Sequence, residues 1–372
     1  MNFLLLNRDI PVLSFNISTV VGICTVGVGA VYREDLIPIA LRSKSSLHGW
    51  IEDRLILTHR KNVQNLFRSL GIADLEYIVD CTNCISLLDC YWVKDVNSNL
   101  SWKNVSPYRN PLNSVIANYS YESGRKIDRK HITRSPDFST KGDFPKCWRK
   151  INGYFYLYKA GSKGFVNAGK EPYSEVYASI LANAMGIEHV EYELVEYRGV
   201  TASRCKNICS EEIGMVSIAD YDISVQSYSD LLSKAYIKGL SNRGTLISML
   251  LLDYLTLNTD RHFNNISLLV DNSNQSILGL APIYDNNLAF LPYFYRAVDV
   301  DVKEYIIKND DLAYAFDGST FDDMLKMISC KNVKDMVRNL VGFRFKTIMP
   351  YDDIKNGILQ YQLCKACKVL GI

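Results

Sequence analysis

A run of apolar residues that ends abruptly in charge and amide groups constrains this chain more than any other feature. Leu246, Ile247, Met249, Leu250, Leu251, Leu252, Leu255 and Leu257 predict a buried helix over 245–257. It runs straight into Asn258, Thr259, Asp260, Arg261, His262, Phe263, Asn264 and Asn265. Ile266 to Val270 then reads as a strand, Asp271 to Asn274 as a turn and Ile277 to Leu280 as the returning strand. Ala281, Pro282, Ile283, Tyr284, Asp285, Asn286 and Asn287 follow. Polar residues packed between a buried helix and a buried strand must satisfy one another or bind something. An acid in a turn means little alone, and a lone His262 is better suited to hydrogen bonding within the loop than to metal ligation.

A second constraint lies earlier. Asn152 and Gly153 predict a tight hairpin turn, followed by a strand from Tyr154 to Tyr158 that Lys159 closes. Alternation puts Phe155, Leu157 and Lys159 on one face, and a lysine in register with a buried face needs an anionic partner. Glu171 to Met185 predicts a helix, with Pro172 in its first turn and Gly186 at its stop. Glu175 lies near its start, and Glu171 is a competing partner for Lys159. Strands follow at Glu191 to Tyr197 and Thr201 to Cys209, and Ser210, Glu211 and Glu212 interrupt the pattern as a connector.

Phosphoryl transfer explains these residue types together. It needs a carboxylate to orient and deprotonate the acceptor hydroxyl, oxygen ligands for magnesium and a cation against the phosphates. Asp260 suits the base. Asn265 returns a side-chain oxygen from the far end of the same loop, and Asp285 supplies a carboxylate after a short hairpin. Magnesium prefers such hard oxygen ligands. Lys159 paired with Glu175 suits the phosphates. The competing reading of the three polar residues is a solvated loop with incidental acids.

Residues from about 125 to 345 resemble the HipA-like protein kinases, including the smaller CtkA-type serine/threonine kinases, in Ser139 to Lys146, Tyr156-Leu157-Tyr158-Lys159, the 258–265 run and Ala281-Pro282-Ile283-Tyr284-Asp285. The resemblance implies Asp260 as catalytic aspartate, Asn265 and Asp285 as magnesium ligands, and Lys159 as the nucleotide-binding lysine. It implies an α+β, two-lobed protein-kinase-like fold of the HipA type, with an additional N-terminal α/β region. The expected divisions are an accessory region over 1–120, a kinase N-lobe over 121–212 and a helical C-lobe over 213–372. ATP and Mg2+ are the implied cofactors. Ser139, Thr140, Lys141, Gly142 and Lys146 would lie over the phosphates, and Ser210 and Glu211 near the adenine edge. No Gly-x-Gly-x-x-Gly loop is present, and Tyr284-Asp285-Asn286 stands where common eukaryotic kinases have Asp-Phe-Gly.

The implied activity is transfer to serine or threonine of a protein substrate, with autophosphorylation at Ser135, Ser139 or Thr140 expected to repel nucleotide. A small-molecule or lipid kinase uses the same machinery. A third reading is a non-catalytic nucleotide sensor in a toxin–antitoxin system, with an antitoxin-like partner. It draws on the basic run Arg125, Lys126, Arg129, Lys130 and Arg134, within a 121–150 stretch holding nine lysines and arginines against four acids. The whole chain carries only +2, which leaves nucleic-acid contact to local patches. No zinc-finger or helix-turn-helix pattern is present.

The first 120 residues predict short strands and one clear helix over Trp50 to Leu70, stopped by Gly71, with a further strand at Tyr91 to Val93 and a helix opening within Pro111 to Tyr119. Ile10 to Tyr32 carries no charge, but Pro11, three glycines and several Ser, Thr and Asn residues predict strand and loop, with no membrane span. The pairs Cys81/Cys84 and Cys364/Cys367 have zinc-like spacing, yet they lie far apart in sequence. Reduced thiols and a cytoplasmic location are expected.

Overall fold

Alternating apolar residues build the first sheet. In the computed structural model, residues 1–20, 23–44, 46–55, 74–121, 133–140, 144–164, 168–293, 304 and 315–372 are described. Strands Asn2–Asn7 (β1), Ile10–Val20 (β2), Ile23–Val31 (β3) and Tyr91–Asp95 (β4) form an antiparallel sheet in the order β3-β2-β1-β4. The chargeless stretch from Ile10 is therefore a strand pair, and among the described residues no helix is long and apolar enough to cross a membrane. Helices Leu47–Leu55 (α1) and Leu75–Thr82 (α2) cover one face. Residues 56–71 of the expected longer helix and its stop lie outside the described residues. Phe3, Leu5, Phe15 and Ile17 meet Trp50, Ile51 and Leu55 in a core that also takes Phe138, a residue beyond the expected division at 120. Each such burial contributes about 1.5–3 kcal/mol.

The short helices Trp102–Val105 (α3) and Ser114–Tyr121 (α4) lead to the second sheet. The stretch before it, rich in residues that break helices and strands, contains a 3-10 turn, Pro136–Ser139. Proline begins the turn, and the Ser135 hydroxyl accepts from the Asp137 N–H, a side-chain cap that the breaker residues concealed. Strands Lys146–Ile151 (β5), Tyr154–Ala160 (β6), Tyr192–Tyr197 (β7) and Val200–Lys206 (β8) lie in the order β5-β6-β8-β7. Asn152 and Gly153 both have positive φ, 50° and 83°, as a two-residue hairpin turn requires. Helix Glu171–Ala184 (α5) packs against β6, β7 and β8.

A third sheet, order β11-β10-β9, joins Ile213–Ser217 (β9), Ser267–Asp271 (β10) and Ile277–Leu280 (β11). Below it, the buried helix Gly244–Thr256 (α6) packs with Phe321–Met327 (α7), Lys331–Leu340 (α8) and Asp352–Leu370 (α9) in the largest apolar core. The third sheet is a β element within the region expected to be helical. All ten cysteines are free, and no metal-ligating cluster occurs among the described residues.

Candidate active site

The β5–β6 ladder sets the cationic side of the site. Lys146 lies directly opposite Lys159, and both are buried. Lys159 Nζ donates to Glu175 Oε1 and to Asp285 Oδ1, each at 2.6 Å. Glu175 reaches it from α5 because that helix packs across the Lys159 face, and Glu175 Oε2 also accepts from the Asn286 N–H at 2.8 Å. Glu171, the competing partner, turns elsewhere: its Oε1 accepts from the Ser162 N–H and the Tyr293 hydroxyl. A side chain at Gly161 would collide with Glu171 and the backbone of Gly169, so the chain after β6 folds tightly only with glycine there.

Electrostatics follow from this packing. Burial disfavours the Lys159 ammonium, but Asp285 and Glu175 outweigh it and raise its pKa above 10.5. Burial likewise pushes Asp285 up, and Lys159 and Lys146 overcome it, holding the carboxyl at about 2. Burial pushes Glu175 up against the opposing pull of Lys159.

The catalytic-loop candidates lie between α6 and β10. Leu257, with φ 50°, ends the helix in a left-handed turn. Asp260 is about one-third exposed, and its carboxyl is raised by burial, with His262 opposing and Asp285 reinforcing the shift. His262 Nε2 lies 3.9 Å from Asp260 Oδ1. The Asn265 amide nitrogen donates to the Asp260 carbonyl at 3.0 Å. That bond fixes the amide orientation and leaves its oxygen as the end available to a cation.

Arg261 joins the two halves. Fully buried, it pairs with both oxygens of Asp253 at 2.9 and 3.0 Å. It also donates to the carbonyls of Asn265 and Tyr284 and to Asn286 Oδ1. One guanidinium thus ties α6, the Asp260–Asn265 loop and the Asp285 loop together. Asp285 itself has φ 55°, and its N–H donates to the Tyr192 hydroxyl. The Tyr284 hydroxyl pairs with Ser267 and donates to the Asn264 carbonyl. Neither Arg261 nor Asp253 emerged as functional from the sequence, although Asp253 is the one charge within an otherwise apolar helix. An acid there is seldom fully buried unless paired.

The remaining candidates are placed differently. Ser139 and Thr140 both donate their hydroxyls to the Pro136 carbonyl, and the Trp148 indole donates to Thr140 Oγ1 at 2.9 Å. These hydroxyls are therefore used within the 3-10 turn, which Phe138 anchors in the N-terminal core. Lys141 and Gly142 lie outside the described residues, as does the basic run from Arg125 to Lys130. Arg134 is described and donates to Asn83 Oδ1. Ser210 and Glu211 do form the connector between β8 and β9. However, the Glu211 carboxylate faces the N-terminal region, accepting from Trp102 Nε1 at 2.6 Å, Ser106 Oγ at 3.2 Å and Arg109 Nε at 3.0 Å. Its carbonyl accepts from Arg8, Cys90 and Asn272. The Glu211 carboxylate thus anchors the connector to the N-terminal region.

No known family model and no curated protein sequence matches this chain. Among solved structures, it is similar to HipA in the Shewanella oneidensis complex of the toxin–antitoxin proteins HipA and HipB with operator DNA. That match has a TM-score of 0.54 and 14% identity, and covers 100% of this chain and 99% of that one. The Helicobacter pylori proinflammatory kinase CtkA matches with a TM-score of 0.41 and 17% identity, over 60% of this chain and 90% of that one. The full-length likeness establishes the fold: an α+β, two-lobed kinase-like architecture of the HipA type with an additional N-terminal α/β region.

Proposed function

We propose that this chain is an ATP-dependent protein kinase that transfers a phosphoryl group to serine or threonine of a protein substrate. The observation that carries the reading is the shared bonding of Lys159 to Glu175 and Asp285, joined through Arg261 to the loop bearing Asp260 and Asn265. A structural ion cluster needs one cation and its counter-charges. This cluster also has a second buried lysine across the ladder and a partly exposed acid with a raised pKa beside it. Perturbed, convergent groups of this kind mark sites of chemistry.

In this reading, Lys159 and Lys146 balance the charge of the ATP phosphates, and Glu175 keeps Lys159 aimed into the cleft. Asn265 and Asp285 would hold Mg2+, which supplies charge neutralisation at the phosphates. Asp260 accepts the proton of the acceptor hydroxyl as its oxygen bonds to the γ-phosphorus. The bond from that phosphorus to the β,γ-bridging oxygen breaks, and ADP leaves. The raised Asp260 pKa brings the base closer to neutrality, where proton acceptance is more effective.

Like the solved neighbour, which is held with HipB, the chain is proposed to bind an antitoxin-like protein, with 1–120 as the accessory region, 121–212 as the N-lobe and 213–372 as the C-lobe. Autophosphorylation at Ser135, Ser139 or Thr140 would require the Pro136–Ser139 turn to open, because their hydroxyls bond inside it. Labelled ATP, magnesium and a cell lysate test the activity. Asp260→Ala should lower transfer about 10²–10⁴-fold while nucleotide binding persists. Equal labelling by the variant would refute the role of Asp260, and labelled lipid or metabolite in place of protein would overturn the substrate class.

A further inference from the structure

The β5–β8 sheet has a second face, and the kinase reading leaves it without a task. Facing away from Lys159, β6 presents Tyr154, Tyr156 and Tyr158. Across the ladders, Arg149 pairs with Tyr156, Ile151 with Tyr154, Lys206 with Tyr156 and Arg204 with Tyr158. One end is closed: Tyr158, Cys147 and Ala160 pack under Ala117 and Tyr121 of α4, and Tyr156 borders this cluster on its open side. The other end is open. Tyr154 is 53% exposed and Ile151 37%, Lys206 is exposed, and Tyr156 and Arg149 are half-buried.

Cations lie over the rings of this open end. Lys206 Nζ sits 3.6 Å from the Tyr154 ring centroid, and the Arg204 guanidinium lies 5.2 Å from that of Tyr156. On these registers the face carries Arg149, Arg204 and Lys206 against one acid, Glu193, which pairs with Arg204. An ordinary solvated sheet face mixes both signs with small polar residues. A positive face with one exposed aromatic ring, Tyr154, and a second, half-buried ring beside it, Tyr156, offers stacking surface and phosphate partners together.

We propose that this open end of the sheet binds single-stranded nucleic acid, with bases stacking on Tyr154 and Tyr156 and the backbone phosphates meeting Arg149, Lys206 and Arg204. The two tyrosines stand two residues apart on one strand, about 6.8 Å, a separation that an unstacked single strand can follow from one base to the next. Duplex DNA cannot use the rings, because its bases are already stacked. An acidic peptide meets the charges but gains little from two flat rings in succession. Lys206 is exposed, so its ammonium can leave the Tyr154 ring for a phosphate at small cost. The surface lies opposite the Lys159 face, so occupancy leaves the phosphate-binding groups untouched.

Fluorescence anisotropy of the full chain tests this without nucleotide or metal, so the result is independent of phosphotransfer. The probes are labelled oligothymidine and oligouridine about eight nucleotides long, a duplex of equal charge and a polyglutamate peptide, all at about 50 mM salt. The single strands should bind best, with a log–log salt slope near −2, about 0.7 for each of three phosphates. Tyr154→Ala and Tyr156→Ala should each weaken binding about 5- to 100-fold, whereas Tyr154→Phe and Tyr156→Phe should retain it. An unchanged unfolding midpoint separates this loss from misfolding. The proposal fails if no single strand binds, or if duplex or polyglutamate binds equally well. It also fails if the alanine variants bind normally while Arg125→Ala/Lys126→Ala abolishes binding, which would assign affinity to the basic run.

Discussion

Lys159 and Lys355 are buried almost equally, 6% and 3% exposed, yet their surroundings drive them in opposite directions. Lys159 has two carboxylates at 2.6 Å. Lys355, on α9, donates to the Phe290 carbonyl at 2.9 Å and sits near the Tyr177 and Phe290 rings, 6.0 and 5.6 Å from their centroids. Asp352, one turn earlier, spends its carboxylate on the Tyr177 hydroxyl and on Thr347, while Lys170 adds repulsion. Burial disfavours both ammonium groups. Counter-charge reverses the effect at Lys159, but burial brings Lys355 down to about 7. Partners, more than depth, decide what a buried lysine does. Lys355 holds the carbonyl of a residue with φ 59° just beyond the Asp285 loop, so it braces the backbone there without carrying a dependable charge.

Removing the cation from the first site should produce the largest effect. Lys159→Met removes the cation bonded to both Glu175 and Asp285 and leaves only Lys146 and Arg261 to oppose Asp285, and breaking a buried pair this way costs about 3–5 kcal/mol. Denaturant unfolding at neutral pH should show that loss, together with loss of phosphotransfer. A variant as stable as the parent would mean that water already screens the cluster, which would dissolve the contrast with Lys355.

Lys355→Met sharpens the same comparison through pH. The folded pKa of about 7 lies below the ordinary 10.5, so the unfolded chain binds the additional proton between those values. Stability from this group therefore rises as pH increases through that window, by at most about 1.4 kcal/mol per pH unit. Lys159 behaves oppositely: its contribution is complete below 10.5 and is lost only as pH rises further. The difference between parent and Lys355→Met unfolding curves should grow in the parent's favour from pH 7 upward. A flat difference would show that Lys355 stays charged when folded.

The two lysines also show what could be read from the sequence. Lys159 was legible because strand alternation put it on an apolar face and a helix with acids followed closely. Asp260, Asn265 and Asp285 were legible because polar residues interrupted buried elements. Lys355 carried no such signal, since nothing local reveals that it lies beside the Phe290 and Tyr177 rings. Arg261 was hidden for a related reason: its partners Asp253, Tyr284 and Asn286 come from three separate elements. The Pro136–Ser139 turn escaped because its breaker residues are also capping residues. Glu211 was recognised as part of a connector, but its partners Trp102, Ser106 and Arg109 lie about a hundred positions away, beyond the reach of local pattern.

That connector gives the smallest effect and the last check on the contrast. Arg109 is 52% exposed and Glu211 18%, so solvent screens their attraction. Arg109→Ala should leave the unfolding midpoint almost unchanged, because Trp102 and Ser106 still donate to the carboxylate. Burial raises the Glu211 pKa, but Arg109 and Trp102 reverse this and leave it below 4.5. Its contribution is therefore present above pH 4.5 and lost as pH falls through the lowered folded value. Removing Arg109 should shrink that acid-side loss, and high salt should mimic the substitution in the parent. A destabilisation as large as that of Lys159→Met would assign this exposed pair the energetics of a buried one. Exposure would then not be what separates the connector from the Lys159 cluster.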